Sequence, residues 1–150
     1  QLETADQLIK DLANIGAKVL KTDIDPILQG NIKPIVQDEI KATYTKKIIK
    51  RDALLDWSNS ANHLSRQVRA YNSNPGAYFQ FEEEMIKCWT AFSSQSDVLP
   101  GRVISACEKG IEIGCGKGSL VILELQRPGK NRITAGEFSR QIDIQGVQLS

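Results

Sequence analysis

The chain has 150 residues, 41% of them apolar and 25% charged, and its 19 basic and 18 acidic side chains leave a net charge of +1. That balance excludes a disordered chain and a wholesale polycation, and the length is enough to bury one core without disulfides. A nucleic-acid role must therefore be argued from where the cations sit, not from their sum.

Position 1 is Gln, where a nascent chain has Met, which suits a fragment or a processed chain and equally a mature protein. Thr4 opens a capping box with Gln7 three residues on. Leu8, Ile9, Leu12, Ile15, Val19 and Leu20 then recur at helical spacing, with Gly16 the weak point. This amphipathic helix needs a partner surface for its apolar stripe. Asp25, Pro26 and Gly30 bracket a short second helix. Residues 31–51 read as a linker, interrupted by Pro34, and its second half carries Lys41, Lys46, Lys47, Lys50 and Arg51 without an acid. The boundary is placed within residues 37–51. Residues 1–36 hold 4 basic and 5 acidic groups, and residues 37–150 hold 15 and 13.

A helix is predicted over residues 58–72, with Ala61, Leu64, Val68 and Tyr71 on one face and Asn62, Arg66 and Arg69 on the other. Asn72-Ser-Asn-Pro-Gly76 ends it. After Gly76 the pattern changes to strands, predicted at 77–81, 85–92, 102–107, 111–115 and 119–126. Thr134 and Glu137 form a further capping box that starts a short helix near Phe138, and residues 142–149 are read as a closing strand. Five short strands joined by tight turns imply a mainly β fold, a small Greek-key barrel or sandwich, preceded by a helical segment and a linker.

The three cysteines, Cys88, Cys107 and Cys115, are odd in number and form no CxxC pair, as expected of reduced thiols. There is no signal-peptide pattern and no apolar run near the ~20 residues of a membrane span, so a cytoplasmic protein is expected. Gly114-Cys-Gly-Lys-Gly-Ser119 invites a phosphate-loop reading. Ile111 stands where that loop needs its first Gly, Gly118 stands where it needs Ser or Thr, and the context is strand–turn–strand. A hairpin turn explains these glycines better. His63 is the sole histidine and has no ligand-spaced Cys or carboxylate, so it reads as an exposed helical side chain and no metal is expected. Glu82-Glu83-Glu84 reads as a solvated hairpin tip more readily than as a paired-acid site. Cys115 has no activating base near it in sequence and reads as a core thiol. The basic constellation is the richer signal: Lys46, Lys47, Lys50 and Arg51 in the linker, Arg66 and Arg69 on the helix, and Arg127, Lys130 and Arg132 after the last core strand. These are the candidate nucleic-acid-binding residues, because each phosphate neutralised adds salt-sensitive affinity, and small barrels with cationic loops often bind nucleic acids. An ordinary solvated surface is the alternative. Tyr44, Tyr71, Tyr78 and Phe79 are the aromatic side chains available for stacking, although core packing suits most of them.

Several motifs, in order, carry a resemblance. Gln37-Asp-Glu, Ala42-Thr-Tyr44, Lys47-Ile, Lys50-Arg-Asp52 and Asp56-Trp57 are followed by Arg69-Ala-Tyr-Asn72 and Pro75-Gly-Ala77. Pro100-Gly101, Cys115-Gly-Lys-Gly with Leu120, and Gln126-Arg-Pro-Gly-Lys130 complete the series. This series resembles the C-terminal portion of methionyl-tRNA formyltransferases, and residues 4–20 resemble the last long helix of their catalytic domain. The chain departs from the family at Asn72-Ser-Asn-Pro-Gly76, where the family usually reads Asn-Pro-Trp-Pro-Gly.

The resemblance implies a division into a helical tail of an absent N-terminal catalytic domain (1–36), a basic linker (37–51) and an OB-like tRNA-binding domain (52–150). It implies an enzyme of one-carbon metabolism and translation initiation that moves a formyl group from 10-formyltetrahydrofolate to the amine of initiator methionyl-tRNA. The catalytic Asn, His and Asp and the folate loop would lie in the N-terminal Rossmann-like domain, so no catalytic residue is carried over. Initiator tRNA and that missing domain are the implied partners. By motif position, Lys46, Lys47, Lys50, Arg69, Lys130 and Arg132 are the leading contacts. The same module on a formyltransferase for nucleotide sugars or formyl-folate, or a stand-alone nucleic-acid-binding barrel, are the alternatives.

Overall fold

The structure is a computed structural model and describes residues 3–96 and 98–150. Among the described residues, six strands and three α-helices are formed: α1 (Ala5–Leu28), α2 (Ala61–Ala70), β1 (Tyr78–Phe81), β2 (Glu84–Ser94), β3 (Val103–Cys107), β4 (Gly110–Gly114), β5 (Ser119–Gln126), β6 (Arg132–Thr134) and α3 (Ala135–Gln141). The chain divides into two compact units, one of Asp6–Ile48 and one containing Ile49–Ser150.

In the first unit, residues 5–28 make a single helix with Pro26 inside its last turns, in place of the expected helix and short second helix. Only one turn follows the proline, so its missing N–H removes one late hydrogen bond and the helix persists. Gly30, at φ 73°, then closes it, with Asn31 N–H donating to the Pro26 carbonyl and Gly30 N–H to the Ile27 carbonyl. Leu8, Ile9, Leu12, Ile15, Val19 and Leu20 are 47% to 65% exposed, so the stripe predicted from spacing is apolar surface in this chain. The segment that follows is exposed, apart from half-buried Ala42, and carries one short 3-10 turn at Glu39–Lys41. No described helix is long and apolar enough to cross a membrane.

The second unit is a curled antiparallel sheet in the order β1–β2–β5–β4–β3, with β6 pairing the far end of β5. Strands β3, β4 and β5 form a meander, and β2, which the chain joins to β3 by a long connection, pairs with β5, which is the Greek-key arrangement. The mainly β, OB-like expectation is met, as a half-barrel with helices packed on it. Phe79, Ile86, Ile111, Ile113, Leu120, Ile122 and Leu125 fill the concave face, and Phe138 of α3 is fully buried among them. Ile86, Cys88 and Ala91 of β2 and Leu120, Ile122 and Leu125 of β5 enter this core, the strand alternation breaking in each where their register shifts.

Local chemistry explains the accessory elements. Ser60 caps α2 by accepting the His63 N–H, and Leu64 and Val68 carry the helix onto the sheet. Thr134 and Glu137 complete the predicted capping box of α3. Ahead of α2, Ala53, Leu55 and Trp57 are buried while Leu54 and Asp56 are exposed, and Leu55 N–H donates to the Tyr78 carbonyl at 2.8 Å. This extended entry segment, which follows a 3-10 turn at Lys50–Ala53, was not foreseen from sequence. Trp57 packs edge-on to Phe79 with centroids 5.8 Å apart.

The predicted closing strand at 142–149 does not form. Val147 N–H donates to the Ile144 carbonyl and Gly146 sits at φ 74°, so the segment turns on itself. It lies along the β3 edge through the Arg102–Gln148 bridge and through hydrogen bonds from Val103 N–H to the Val147 carbonyl, Gly146 N–H to the Val103 carbonyl and Leu149 N–H to the Gly101 carbonyl, while Ile144 and Leu149 are buried. The Gly-rich stretch is the β4–β5 hairpin. A Cβ on Gly116 would overlap the Ser58 carbonyl, and Gly116 N–H donates to the Trp57 and Asn59 carbonyls at 2.9 Å. The glycine is there to admit another backbone, not a phosphate.

Phe79→Ala is expected to cost about 3–5 kcal/mol by leaving a cavity in the core. Gly116→Ala is expected to cost about 1–3 kcal/mol by overpacking against residue 58. Urea unfolding of each variant checks both values.

Candidate nucleic-acid interface

The convex side of the sheet collects polar side chains in a line set by register. Tyr78 of β1 is opposite Lys87 of β2, Lys87 is opposite Gln126 of β5, and Gln126 is opposite Arg132 of β6. Directly opposed residues share a face, so these four side chains cross four strands on the side away from Phe79, Ile86 and Leu125. One β-bulge refines the line. Between Cys88 and Thr90 the β2–β5 register skips Trp89, leaving that residue outside the ladder. Its freed carbonyl accepts from Asn72 Nδ2 at 2.7 Å, and its indole N–H donates to Gln126 Oε1 at 3.0 Å. The half-buried ring has two cations near it, Lys87 Nζ at 5.8 Å and Arg132 Cζ at 5.2 Å from its centroid, within cation–π range.

The loop after β5 is equally determined. Arg127-Pro-Gly-Lys130 is a turn closed by Lys130 N–H to the Arg127 carbonyl at 3.1 Å, with Pro128 second and Gly129 third at φ 66°. That order of residues suits a type II turn. Gln126 Nε2 donates to the Lys130 carbonyl at 2.7 Å, so one amide ties the turn to Trp89. Beside it lies a cleft of about 260 Å³, lined by Lys50, Tyr78, Met85, Lys87 and Arg127 among others.

Carboxylates already claim two of the sequence-predicted cations. Arg127 donates from Nε and Nη2 to both oxygens of Glu84, each at 2.7 Å. Arg132 is ion-paired with Glu124, which also accepts from Thr90 Oγ1. The Arg127 hydrogen bond holds Glu84 below the usual carboxylate range. The Thr90 hydroxyl, then Arg132, does the same for Glu124. Glu84 is therefore part of an ion pair rather than a solvated tip, whereas Glu82 and Glu83 are exposed at the turn.

The nine predicted residues do not form one patch. Lys50 and Arg127 line the cleft, Lys130 is exposed in the adjoining turn, and Arg132 stands on the same sheet face. Arg51 is exposed in the 3-10 turn that also holds Lys50. Arg66 lines a separate cleft with Asp52 and His63 on the outer side of α2. Arg69 folds back along α2 to donate to the Ser65 carbonyl at 3.1 Å. Lys46 and Lys47 are exposed and belong to the other unit. Of the aromatics, Phe79 is fully buried in the core, Tyr44 is exposed, and Tyr78 borders the cleft.

Lys87, Trp89 and Met85 were missed by the sequence reading. Their signal was the alternation of the second strand: 86 and 88 point inward, so 85, 87 and 89 point outward. Cys115 is buried, and burial pushes its thiol up to about 11, so it is a core thiol as expected.

Because Glu84 and Glu124 have depressed folded-state pKa values, their contribution is present above the unfolded Glu value of about 4.3 and is lost as pH falls through the folded values. Glu84→Gln is expected to flatten the fall of the thermal midpoint below about pH 4.3 relative to the parent chain. Melting curves at successive pH values check this.

Comparison with known proteins gives this geometry a context. A family model described as formyl transferase, C-terminal domain, matches residues 47–142. The chain is 41% identical over 138 residues to a methionyl-tRNA formyltransferase of Coxiella burnetii (strain RSA 331 / Henzerling II), covering 91% of this chain and 44% of that protein. It is 37% identical over 149 residues to a methionyl-tRNA formyltransferase of Methylococcus capsulatus, covering 98% of this chain and 48% of that protein. The chain thus spans about half the length of the curated relatives it matches. Among solved structures, a variant of HypX from Aquifex aeolicus matches with a TM-score of 0.70 at 17% identity, over 95% of this chain and 27% of that one. HypX in complex with tetrahydrofolic acid matches with a TM-score of 0.59 at 19% identity, over 77% of this chain and 21% of that one. At such identities these two likenesses concern the fold. The match over residues 47–142 takes in the whole sheet and the helices packed on it, and the chain belongs to the formyl transferase C-terminal domain family.

Proposed function

We propose that this chain is the tRNA-holding C-terminal part of a methionyl-tRNA formyltransferase. The observation that carries the reading is 41% identity, over nine-tenths of the chain, to a protein of that name. The whole enzyme would transfer a formyl group from 10-formyltetrahydrofolate to the α-amine of initiator methionyl-tRNA. The folate would supply the formyl group, and its nitrogen would take up a proton in exchange for the one that the amine gives up.

A folate needs buried polar groups facing a cavity. Among the described residues, the buried side-chain polar atom without a partner is Trp57 Nε1, on a ring packed against Phe79 in the core. That core atom offers a folate no cavity-facing partner, and the proposal assigns folate binding and formyl transfer to the part of the enzyme outside this chain. The apolar row of α1, from Leu8 to Leu20, suits packing against that part. The proposed organisation is a helical tail over 1–36, a basic linker over 37–51 and a tRNA-holding domain over 52–150, acting in the cytoplasm.

The role of the chain follows from the substrate's shape. The reactive amine sits at one end of a large polyanion, so cations far from that end orient it without touching the chemistry. Lys46, Lys47, Lys50, Arg51 and Lys130 are exposed and suited to phosphates. Among the described residues these five make no ion pair with a carboxylate. Arg66 and Arg69 on α2 and the paired Arg127 and Arg132 are weaker contributors in this reading.

Titration of the chain with initiator tRNA at several salt concentrations is expected to give a log–log slope equivalent to several released counterions. Reversal of Lys46, Lys47 and Lys50 to Glu is expected to weaken binding by about tenfold or more, equally for initiator and elongator tRNA, since phosphate contacts position and do not specify. Unchanged affinity at low salt would remove the reading.

A further inference from the structure

We infer that the cleft between Lys50, β1, β2 and the β5–β6 turn seats a phosphodiester of the bound nucleic-acid strand, with Lys87 as its principal cation. The inference rests on the tRNA reading and adds a site that the sequence motifs did not indicate.

Four observations converge. Lys50 and Lys87 both line the cleft, and among the described residues neither makes an ion pair. Arg127, the third cation there, is already matched by Glu84 through two hydrogen bonds. It therefore braces the wall, and the uncompensated charge of the cleft is that of the two lysines. The acids on that side are Glu84, which is paired, and Glu82 and Glu83, which are exposed at the β1–β2 turn.

Lys87 is also preorganised. Its cross-strand neighbours are Tyr78 and Gln126, and its ammonium lies within cation–π range of Trp89. A Cβ on Gly76 would stand 3.3 Å from Lys87 Cε, so a residue without a side chain, at φ 84°, lets the lysine stem pass close to the backbone. A lysine confined in this way loses less rotamer freedom on meeting an anion than a lysine on open surface.

The rest of the lining includes apolar Tyr78, Met85, Pro75 and Pro128 beside the Gln126 amide. A site lined by two lysines, an aromatic ring and a thioether suits a phosphate joined to a sugar and base better than a bare inorganic ion. The volume of about 260 Å³ admits such a unit and excludes a folded element. A strand is favoured over a free nucleotide because unpaired positive charge continues past the cleft, to exposed Lys130 in the adjoining turn. Phosphates repeat along a strand, and a lone nucleotide cannot reach both places.

The test uses this chain and five variants, Lys87→Gln, Lys87→Arg, Lys50→Gln, Lys117→Gln and the linker reversal Lys46→Glu with Lys47→Glu. Each is titrated with initiator tRNA across salt concentrations, and thermal melting verifies folding. Lys87→Gln is expected to weaken binding by about threefold to tenfold and to lower the salt slope by about 1. Lys87→Arg should keep most of the affinity, Lys50→Gln should resemble Lys87→Gln, and Lys117→Gln, in the β4–β5 hairpin, should change nothing. If the linker reversal weakens binding and Lys87→Gln does not, the tRNA reading stands and the phosphodiester seat falls. If the parent chain shows no salt-dependent binding at all, both fall. Adenosine monophosphate and inorganic phosphate are added as competitors. Millimolar competition by the monophosphate that Lys87→Gln abolishes, with tRNA affinity untouched, would make the cleft a free-nucleotide site and overturn the assignment.

Discussion

The fold depends on what pairs with β5. One edge of this strand carries β2 along most of its length, while the other carries β4 on its first half and β6 on its second. A strand shared in this way must bend, because its two halves have partners that diverge. The bend curls the sheet and turns Leu120, Ile122 and Leu125 toward one concave core, where Phe138 is buried. Apolar burial of this kind is the main favourable term in the unit, and the hairpins, caps and close glycine approaches serve to close the chain around it.

The same pairing builds the convex face. Because register fixes which side chains stand opposite one another, burying Ile86 and Cys88 obliges Lys87 to face outward between Tyr78 and Gln126. The bulge at Trp89 then offsets one residue and frees a carbonyl, which Asn72 at the end of α2 takes up. Helix, bulge and the turn after β5 are thus joined through Trp89 and Gln126, and the cations beside them have defined positions. In the proposed role this matters more than their number, since rigid elements place charged groups with less entropic loss than loops do.

Charge pairing revises which cations are available. Arg127 meets a carboxylate 43 residues away, and Arg132 one 8 residues away across the β5–β6 turn. Both had been read as free phosphate ligands. Lys87 had been passed over because it stands alone among apolar neighbours, where no local run of charge marks it. A linear scan ranks cations by clustering in sequence, whereas a sheet clusters them by register.

Local periodicity and capping placed most of the described elements: five of the six strands, the helix α2, the capped start of α3, the hairpin role of the Gly114–Ser119 stretch and the apolar stripe of α1. These follow from interactions among residues a few positions apart, so they are written in short windows of sequence. The exceptions show the limit of such windows. Pro26 looked like a new helix start, but so late in α1 it removes only one hydrogen bond. Residues 142–149 have strand-like composition, yet Gly146 and the Ile144–Val147 turn break the extension. The pairing of Leu54 and Leu55 with Tyr78, the bulge at Trp89, the ion pairs of Arg127 and Arg132 and the lysine cleft were decided by the tertiary structure alone. Each depends on contacts between segments distant in the chain, and which segments meet is settled by the collective burial of one core rather than by any residue's neighbours in sequence.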